Sequence, residues 1–240
     1  MGVRDGIATM IRALLFCLAS WFAFHAYGET VSDPFEKFNR QSHHLNETFD
    51  EHLVRPVAGS YRRLLPVPVK RSLDRFYGNL EDAGDAVNSL LQGKADAFVT
   101  GVLRVAINST LGLGGFLDPA SRLGLENHDE DFAQTLAKWG VPRGPYLVIP
   151  FLGPSSLRDV FARAINTRVD PVRYLRPVDQ RNVVYATRFI HVRANLLVAE
   201  EAVFGDRYLF FRDAYLQRRR YLELDGEVAE DLFSDEFDDL

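Results

Sequence analysis

The sequence predicts an all-α protein, built as a single domain of amphipathic helices with one short apolar hairpin-like loop. Three observations support this prediction: apolar residues recur at three- and four-residue spacings, capping residues precede these stripes, and Gly or Pro follows them. The chain has 240 residues, of which 47% are hydrophobic and 25% charged. This composition is typical of a folded protein and argues against disorder and against a polytopic membrane protein.

The first 28 residues are predicted to be a secretory signal peptide. Arg4 and Arg12 precede an apolar run over residues 13–24, and small residues, Ala26 and Gly28, lie at the −3 and −1 positions of the expected cleavage site. The run is shorter than the ~20 residues of a membrane-spanning helix. The chain is therefore expected to be exported, with a helical domain over 29–222.

Cys17 is the only cysteine, and the predicted cleavage removes it. A bacterial lipoprotein would instead be cut just before Cys17 and acylated there. Bulky Leu15 and Phe16 disfavour this route, so the sequence favours ordinary cleavage and leaves lipidation of Cys17 as the alternative.

The first helix of the domain is predicted to begin at Asp33, where a capping residue, a proline and Glu36 follow one another, and to end at Arg55 before Pro56. A short capped segment begins at Asp118. The other helices are predicted over residues 57–65, 69–77, 80–92, 96–110, 129–139, 156–166, 180–204 and 206–222. Residues 223–240 contain nine acidic residues and no Lys or Arg, which predicts a disordered tail.

The helix over 96–110 is apolar almost all round, which predicts that it is buried in protein or in lipid. Its candidate membrane contacts are Phe98, Val102 and Val105. A flexible, glycine-rich apolar turn follows, which contains Leu111, Leu113 and Phe116. Its glycines are expected to end the helix and to let the backbone of the turn pack closely against its neighbours.

The segment from Gly144 to Gly153 cannot be a helix because of its prolines and glycines, yet most of its side chains are apolar. Such a loop needs a partner for these side chains. They are Tyr146, Leu147, Val148, Ile149, Phe151 and Leu152.

No catalytic constellation is evident in the sequence. The segment Gly153-Pro154-Ser155-Ser156-Leu157 lacks the second glycine of a nucleophile elbow. His43 and His44 do not form a zinc motif, and residues 127–131 lack the spacing of a calcium loop, so their acidic residues are expected to cap the helix that begins there. The formal net charge of −5 leaves no basic footprint for nucleic acid. The protein is therefore expected not to be an enzyme and to need neither metal nor cofactor.

Several motifs resemble the MlaA/VacJ family, in the family's order over nearly all of residues 33–222. They are Asp-Pro-Phe-Glu-Lys-Phe-Asn-Arg at 33–40, Val-Arg-Pro-Val-Ala at 54–58, Asn-Ser-Leu-Leu-Gln-Gly at 88–93, Asn-Ser-Thr-Leu-Gly-Leu-Gly-Gly-Phe-Leu-Asp at 108–118, Gly-Pro-Tyr-Leu-Val-Ile-Pro-Phe-Leu-Gly at 144–153 and Arg-Asp-Ala-Tyr-Leu-Gln-Arg-Arg at 212–219.

The resemblance implies a ring of helices around a central channel, lying in the inner leaflet of the bacterial outer membrane. It also implies that phospholipid misplaced in the outer leaflet moves through the channel to an MlaC-like periplasmic carrier, and that the protein associates with a trimeric porin. Members are typically anchored by an acylated cysteine, whereas here the context of Cys17 points to attachment through the helices or a porin.

On this interpretation the 144–153 loop grips or gates acyl chains, and charged residues at Val148 and Ile149 should abolish lipid transfer while the protein stays folded. The lipid-pathway candidates are Tyr146, Leu147, Val148, Ile149, Phe151, Leu111, Leu113 and Phe116. Two alternatives are a soluble periplasmic lipid-binding protein and a structural partner of porins without a transport role.

Overall fold

The computed structural model describes residues 33–200 and 203–226, and every element below belongs to the unit that begins at Phe35. The predicted signal peptide with Cys17, and residues 227–240 of the predicted tail, lie outside the described residues. The elements are α1 Glu36–Phe49, a π-helical turn Asp50–Val54, α2 Arg55–Leu64, α3 Val67–Leu91, α4 Ala95–Thr110, α5 Pro119–Arg122, α6 Phe132–Lys138, β1 Tyr146–Ile149, β2 Gly153–Ser156, α7 Leu157–Val169, a 3₁₀ turn Pro171–Tyr174, α8 Val178–Ala199 and α9 Arg207–Glu223. The all-α prediction is confirmed, including its one hairpin.

Four helices begin where a side-chain oxygen accepts the backbone N–H three residues further on. At α7, for example, Ser156 accepts the N–H of Asp159 at 3.2 Å. The capping residues are Asp118, Asp131, Ser156 and Asp206. These starts follow from local sequence, and they agree with the prediction to within three residues.

Two predicted helix boundaries are wrong. The chain does not stop before Pro56, because a π-helical turn over 50–54 carries it directly into α2, whose first turn tolerates a proline without an N–H. Nor does Gly78 divide residues 69–92, since α3 runs unbroken through it. Glycine is permitted in a helix interior when the flanking turns are held by packing.

The orientation of α4 sharpens the prediction that this helix is buried. The face that packs on α3 consists of small and polar residues, Ala97, Gly101, Arg104 and Asn108. A Cβ at Gly101 would lie 3.0 Å from the Cβ of Ala86, so the two backbones approach closely. The large apolar side chains of α4 therefore point away from the protein interior.

A buried ion pair joins α4 to its neighbours. Arg104 donates from Nε to Asp82 Oδ2 at 3.1 Å and from Nη1 to the carbonyl of Leu125 at 2.8 Å. Burial raises the pKa of Asp82, and the guanidinium of Arg104 opposes this shift. The interior at this point is held by charge rather than by apolar packing.

In the described part of the chain, large apolar side chains are exposed and many polar side chains are buried, which is the reverse of the usual arrangement. No Leu, Ile, Phe or Trp within residues 33–200 and 203–226 is fully buried, and the buried apolar residues are Ala, Val and Tyr. Polar residues are buried in greater number, among them Asn39, Asn79, Asp82, Asn88, Arg104, Asn108, Glu130, Gln134, Arg158, Asp159, His191 and Arg219. Apolar surface of this extent needs an apolar environment or a partner.

None of the described helices is both long enough and apolar enough to cross a membrane.

The end of α9 lies inside the segment predicted as a tail. Glu223 ends this helix, pairs with Arg143 at 2.9 Å and forms a second ion pair with Arg158. Two buried or half-buried arginines thus hold the first residue of the acidic segment in the folded domain.

Candidate functional site

The hairpin of β1 and β2 is held on its outer edge by two asparagines of α1. Asn39 donates from Nδ2 to the carbonyl of Tyr146 at 3.0 Å and accepts the N–H of Val148 at 2.8 Å. Asn46 donates to the carbonyl of Ile149 at 3.0 Å and accepts the N–H of Phe151 at 2.6 Å. The two asparagines lie two helical turns apart, so one face of α1 satisfies the strand edge that β2 leaves open.

This anchoring separates the predicted loop residues into two groups. The side chains of Tyr146 and Val148 are buried and pack with Tyr208 of α9, and Val148 is only 1% exposed. Leu147 and Ile149 are half-buried. Val148 therefore serves the core, and a charge there would disturb folding rather than test lipid contact.

The turn of the hairpin carries two exposed apolar side chains, Phe151 and Leu152. Phe151 adopts a positive φ of 63°, which is uncommon for a residue with a side chain, and its ring packs edge-on against Phe49 at 5.1 Å. Backbone strain of this kind persists only where the surroundings fix it.

Leu152 lies in the wall of a cavity of about 600 Å³ between α3, α7 and the start of α6. The rest of its lining is strongly charged, with two arginines, Arg163 and Arg188, among the carboxylates. The carboxylates that line it are Glu81, Asp85, Asp129, Glu130, Asp131 and Asp170.

A second cavity of about 660 Å³ shares Leu152, Asp131 and Arg163 with the first and continues towards α9. Its further walls include the aromatic residues Phe210 and Phe211. Together the two cavities, which we call the amphipathic cavity, have charged lining residues, here called its charged wall, and apolar ones that include Leu152, Phe210 and Phe211. Such a lining suits a ligand with a polar head and apolar chains.

Asp85 is the most perturbed acid of the amphipathic cavity. Burial, reinforced by the nearby carboxylates of Asp129, Asp82 and Glu81, raises its pKa to about 9. At neutral pH this side chain is protonated, so the charged wall carries one negative charge fewer than its carboxylates suggest.

A buried network closes the α9 side of the amphipathic cavity. Arg219 donates to Asp131 at 2.6 and 3.2 Å and lies 3.1 Å from Asp159, which also accepts a hydrogen bond from Tyr215. Burial opposes ionisation of Asp131, but the bonds from Arg219 lower its pKa. Burial raises the pKa of Tyr215, and the carboxylate of Asp159 adds to this shift.

The glycine turn after α4 presents the remaining pathway candidates. Leu111 and Leu113 are exposed, Leu113 with a positive φ of 56°, and Phe116 stacks on Phe76 at 4.9 Å. A Cβ at Gly115 would lie 2.7 Å from the Cβ of Asn79, which confirms the close backbone packing expected here.

The three predicted membrane contacts of α4 differ in exposure. Val102 is exposed, whereas Phe98 and Val105 are half-buried. All three lie off the helix face that packs on α3.

Several residues of the amphipathic cavity were not predicted as site residues. Asp131 caps α6, and the same carboxylate also binds Arg219. Nothing in the local sequence indicates that Asp85 and Arg163 line a cavity, because charged residues are common on amphipathic helices. Leu152 belongs to the predicted loop and is its member that lines the cavity.

Comparisons with known proteins identify the fold. A family model described as MlaA lipoprotein matches residues 31–222. This chain belongs to the MlaA family. The resemblance drawn from the sequence motifs is thereby confirmed.

Individual MlaA relatives agree over most of the chain. The intermembrane phospholipid transport system lipoprotein MlaA of Escherichia coli K12 is 33% identical over 207 residues, which cover 82% of this chain and 80% of the relative. An uncharacterized protein of Rickettsia bellii is 36% identical over 193 residues, covering 79% of this chain and 76% of the relative.

A solved structure is also similar to this chain. That structure, described as the structural basis for maintenance of bacterial outer membrane lipid asymmetry, aligns with a TM-score of 0.71 and 30% sequence identity. The alignment covers 80% of this chain and 99% of that chain. The helices and the hairpin described above therefore form the MlaA fold.

Proposed function

We propose that this protein is the outer-membrane component of an intermembrane phospholipid transport system and that lipid passes through the amphipathic cavity. In this proposal it removes phospholipid misplaced in the outer leaflet and passes it to an MlaC-like periplasmic carrier. No bond is made or broken, so the residues of the cavity act by solvation and shape rather than by catalysis.

The single observation that carries this proposal is the reversed distribution of polarity. Large apolar side chains lie outside and charged side chains lie inside the described part of the chain. Exposing this much apolar surface to water is unfavourable in free energy, whereas exposing it to the hydrocarbon of a leaflet is favourable. A soluble periplasmic shuttle would need the opposite arrangement.

The amphipathic cavity supports a lipid route in particular. A phospholipid headgroup carries a phosphate and its chains are apolar, so a passage must solvate both at once. Arg163 of the charged wall fits the phosphate of the headgroup, whereas Arg188 already pairs with Glu81 and Asp170. Leu152, Phe210 and Phe211 fit the chains. A trimeric porin would be the partner that positions the protein in the membrane, with attachment through the outward-facing helices.

The test changes Leu152, because this exposed side chain lines both parts of the amphipathic cavity. Leu152→Asn places an amide on the apolar route, and Leu152→Met is the matched control that keeps the route apolar at similar volume. Each variant is expressed in cells that lack their own copy. Outer-leaflet phospholipid is measured by surface labelling, together with survival in detergent and chelator.

We expect Leu152→Met to restore lipid asymmetry and Leu152→Asn to fail, with both variants present in the membrane fraction at equal amounts. Equal restoration by the two variants would overturn the lipid route. Recovery of the full chain from periplasm without membrane would favour the soluble shuttle. If cells that lack this protein show altered porin assembly but unchanged outer-leaflet phospholipid, the structural role is favoured instead.

A further inference from the structure

A separate cavity of about 710 Å³ lies between α2, the start of α3 and the end of α8, and it shares no wall residue with the amphipathic cavity. Four basic side chains line it, those of Arg55, Arg62, Arg63 and Lys70. We call it the basic cavity. Its wall includes Gly59, where no atom beyond the adjoining residues and backbone of α2 lies within 4 Å of the position that a Cβ would take, so the space beside α2 is open.

The cations of the basic cavity have no carboxylate partner among the described residues. Within residues 33–200 and 203–226, no carboxylate oxygen lies within 4.0 Å of their side-chain nitrogens, although Glu51 lines the same cavity. Lys70 donates instead to the carbonyl of Arg62 at 3.3 Å. Buried arginines elsewhere are paired, as Arg104 is with Asp82 and Arg219 with Asp131.

The sequence around the basic cavity is locally basic within an acidic chain. Residues 55–75 contain six Lys or Arg and a single acidic residue, Asp74, whereas the whole chain has a formal net charge of −5. Asp74 bonds to His191 at 2.7 Å and is thus engaged on α8. The local field of this surface attracts anions.

An apolar stripe runs along another side of the same helix. Arg55 and Arg62 lie two turns apart, and so do Val57 and Leu64, but the two rows lie about 160° apart around α2. Arg63 lies between them, about 100° from Leu64. Leu64 is 79% exposed. Leu53, Val57 and Val67 are also exposed around it.

We propose that the basic cavity binds the phosphate of an anionic phospholipid headgroup in the leaflet that surrounds the protein, while the apolar stripe contacts the acyl chains. Guanidinium groups bind phosphate oxygens in a bidentate manner, and a helix with one basic face and one apolar face is typical of interfacial helices. The apolar stripe favours a lipid over an acidic protein segment. This inference rests on the proposed membrane location, but not on the lipid route.

The test compares binding to two kinds of vesicle. The full chain is exchanged from detergent onto vesicles of phosphatidylcholine alone, or of phosphatidylcholine with phosphatidylglycerol, and bound protein is measured by flotation. The variant is Arg62→Gln with Arg63→Gln. The matched control is Arg168→Gln with Arg173→Gln, which removes equal charge from exposed arginines outside this cavity.

We expect the unaltered chain and the control to bind the phosphatidylglycerol vesicles more tightly. The Arg62 and Arg63 variant should lose about 25-fold of that affinity, about fivefold for each cation, and should bind phosphatidylcholine vesicles as before. Retained binding to phosphatidylcholine shows that the variant is folded.

The inference is overturned if the variant keeps its preference for phosphatidylglycerol, or if the control loses as much as the variant. In either case, binding of all chains to phosphatidylcholine leaves the proposed membrane location intact. If the unaltered chain binds neither vesicle, both the inference and the proposed function fail. Capture of an acidic protein by the unaltered chain together with no vesicle preference would also overturn the lipid assignment.

Discussion

The side-chain amide of Asn39 accepts the backbone N–H of Val148 at 2.8 Å, across 109 residues of sequence. The same amide donates to the carbonyl of Tyr146, so a helix takes the place of a third strand. The hairpin needs this substitute because two strands alone are marginally stable.

Asn39→Ala should therefore be strongly destabilising. It leaves a buried carbonyl and a buried N–H of β1 without partners, which costs about 2 to 4 kcal/mol of the free energy of unfolding. Chemical denaturation in detergent measures this. Gln41→Ala, on an exposed position of the same helix, is the control and should change stability by less than about 0.5 kcal/mol. A similar loss in both variants would contradict the bonding role of Asn39.

The glycine turn after α4 gives a second prediction, because its two adjacent glycines face different surroundings. Gly115→Ala places a Cβ 2.7 Å from Asn79, whereas Gly114→Ala places one in open space at an equally positive φ. We expect a loss of about 1 kcal/mol for Gly114→Ala from the backbone alone and about 3 kcal/mol or more for Gly115→Ala. Thermal unfolding measures this difference, and equal midpoints for the Gly114 and Gly115 variants would refute the prediction.

A third prediction concerns the strained backbone of Leu113. Leu113→Gly removes the penalty of a left-handed residue and should stabilise the protein by about 1 kcal/mol. Leu111→Gly is the matched change at an ordinary right-handed position and should destabilise it by about 0.5 to 1 kcal/mol. Denaturation curves that shift in the same direction for both variants would exclude stored strain at Leu113.

The raised pKa of Asp85, about 9, predicts a pH dependence of stability. The folded chain keeps this proton up to about pH 9, whereas the unfolded chain releases it at about pH 4. Stability from this group is thus greatest at low pH and falls as pH rises between these values, by up to about 1.4 kcal/mol per pH unit.

Asp85→Asn should remove that slope and make the protein more stable near neutral pH. Unfolding midpoints measured from about pH 5 to about pH 8 test this, with Asp96→Asn on exposed α4 surface keeping the slope of the unaltered chain. Parallel curves for the Asp85 variant and the unaltered chain would show that Asp85 is ionised when folded.

Sequence alone predicts the features of this fold that are decided locally. Asp118 and Ser156 cap their helices through bonds to the third residue on, and Gly93 ends α3 with the positive φ that glycine permits. The pattern at Pro56 and at Gly78 is also local, yet it predicts breaks that the structure does not have. Packing of neighbouring helices decides those positions.

The candidate site is less predictable because its residues come from distant parts of the chain. The apolar loop is evident in the sequence, and so is its need for a partner. Nothing local indicates that Asn39 and Asn46 supply this partner, or that Arg219 reaches back to Asp131 across 88 residues. The outward direction of Val102 likewise depends on which face of α4 meets α3.

The π-helical turn over Asp50–Val54 has a rotational consequence. It fits one additional residue into the helix, and each residue of a helix turns it by about 100°. Deleting one residue there would leave α2 helical but rotate its whole surface by about a quarter turn. Arg62 and Leu64 would then each face about 100° away from their present directions. The chain length between Asn46 and Pro56 thus sets which side of α2 meets phosphate and which meets hydrocarbon.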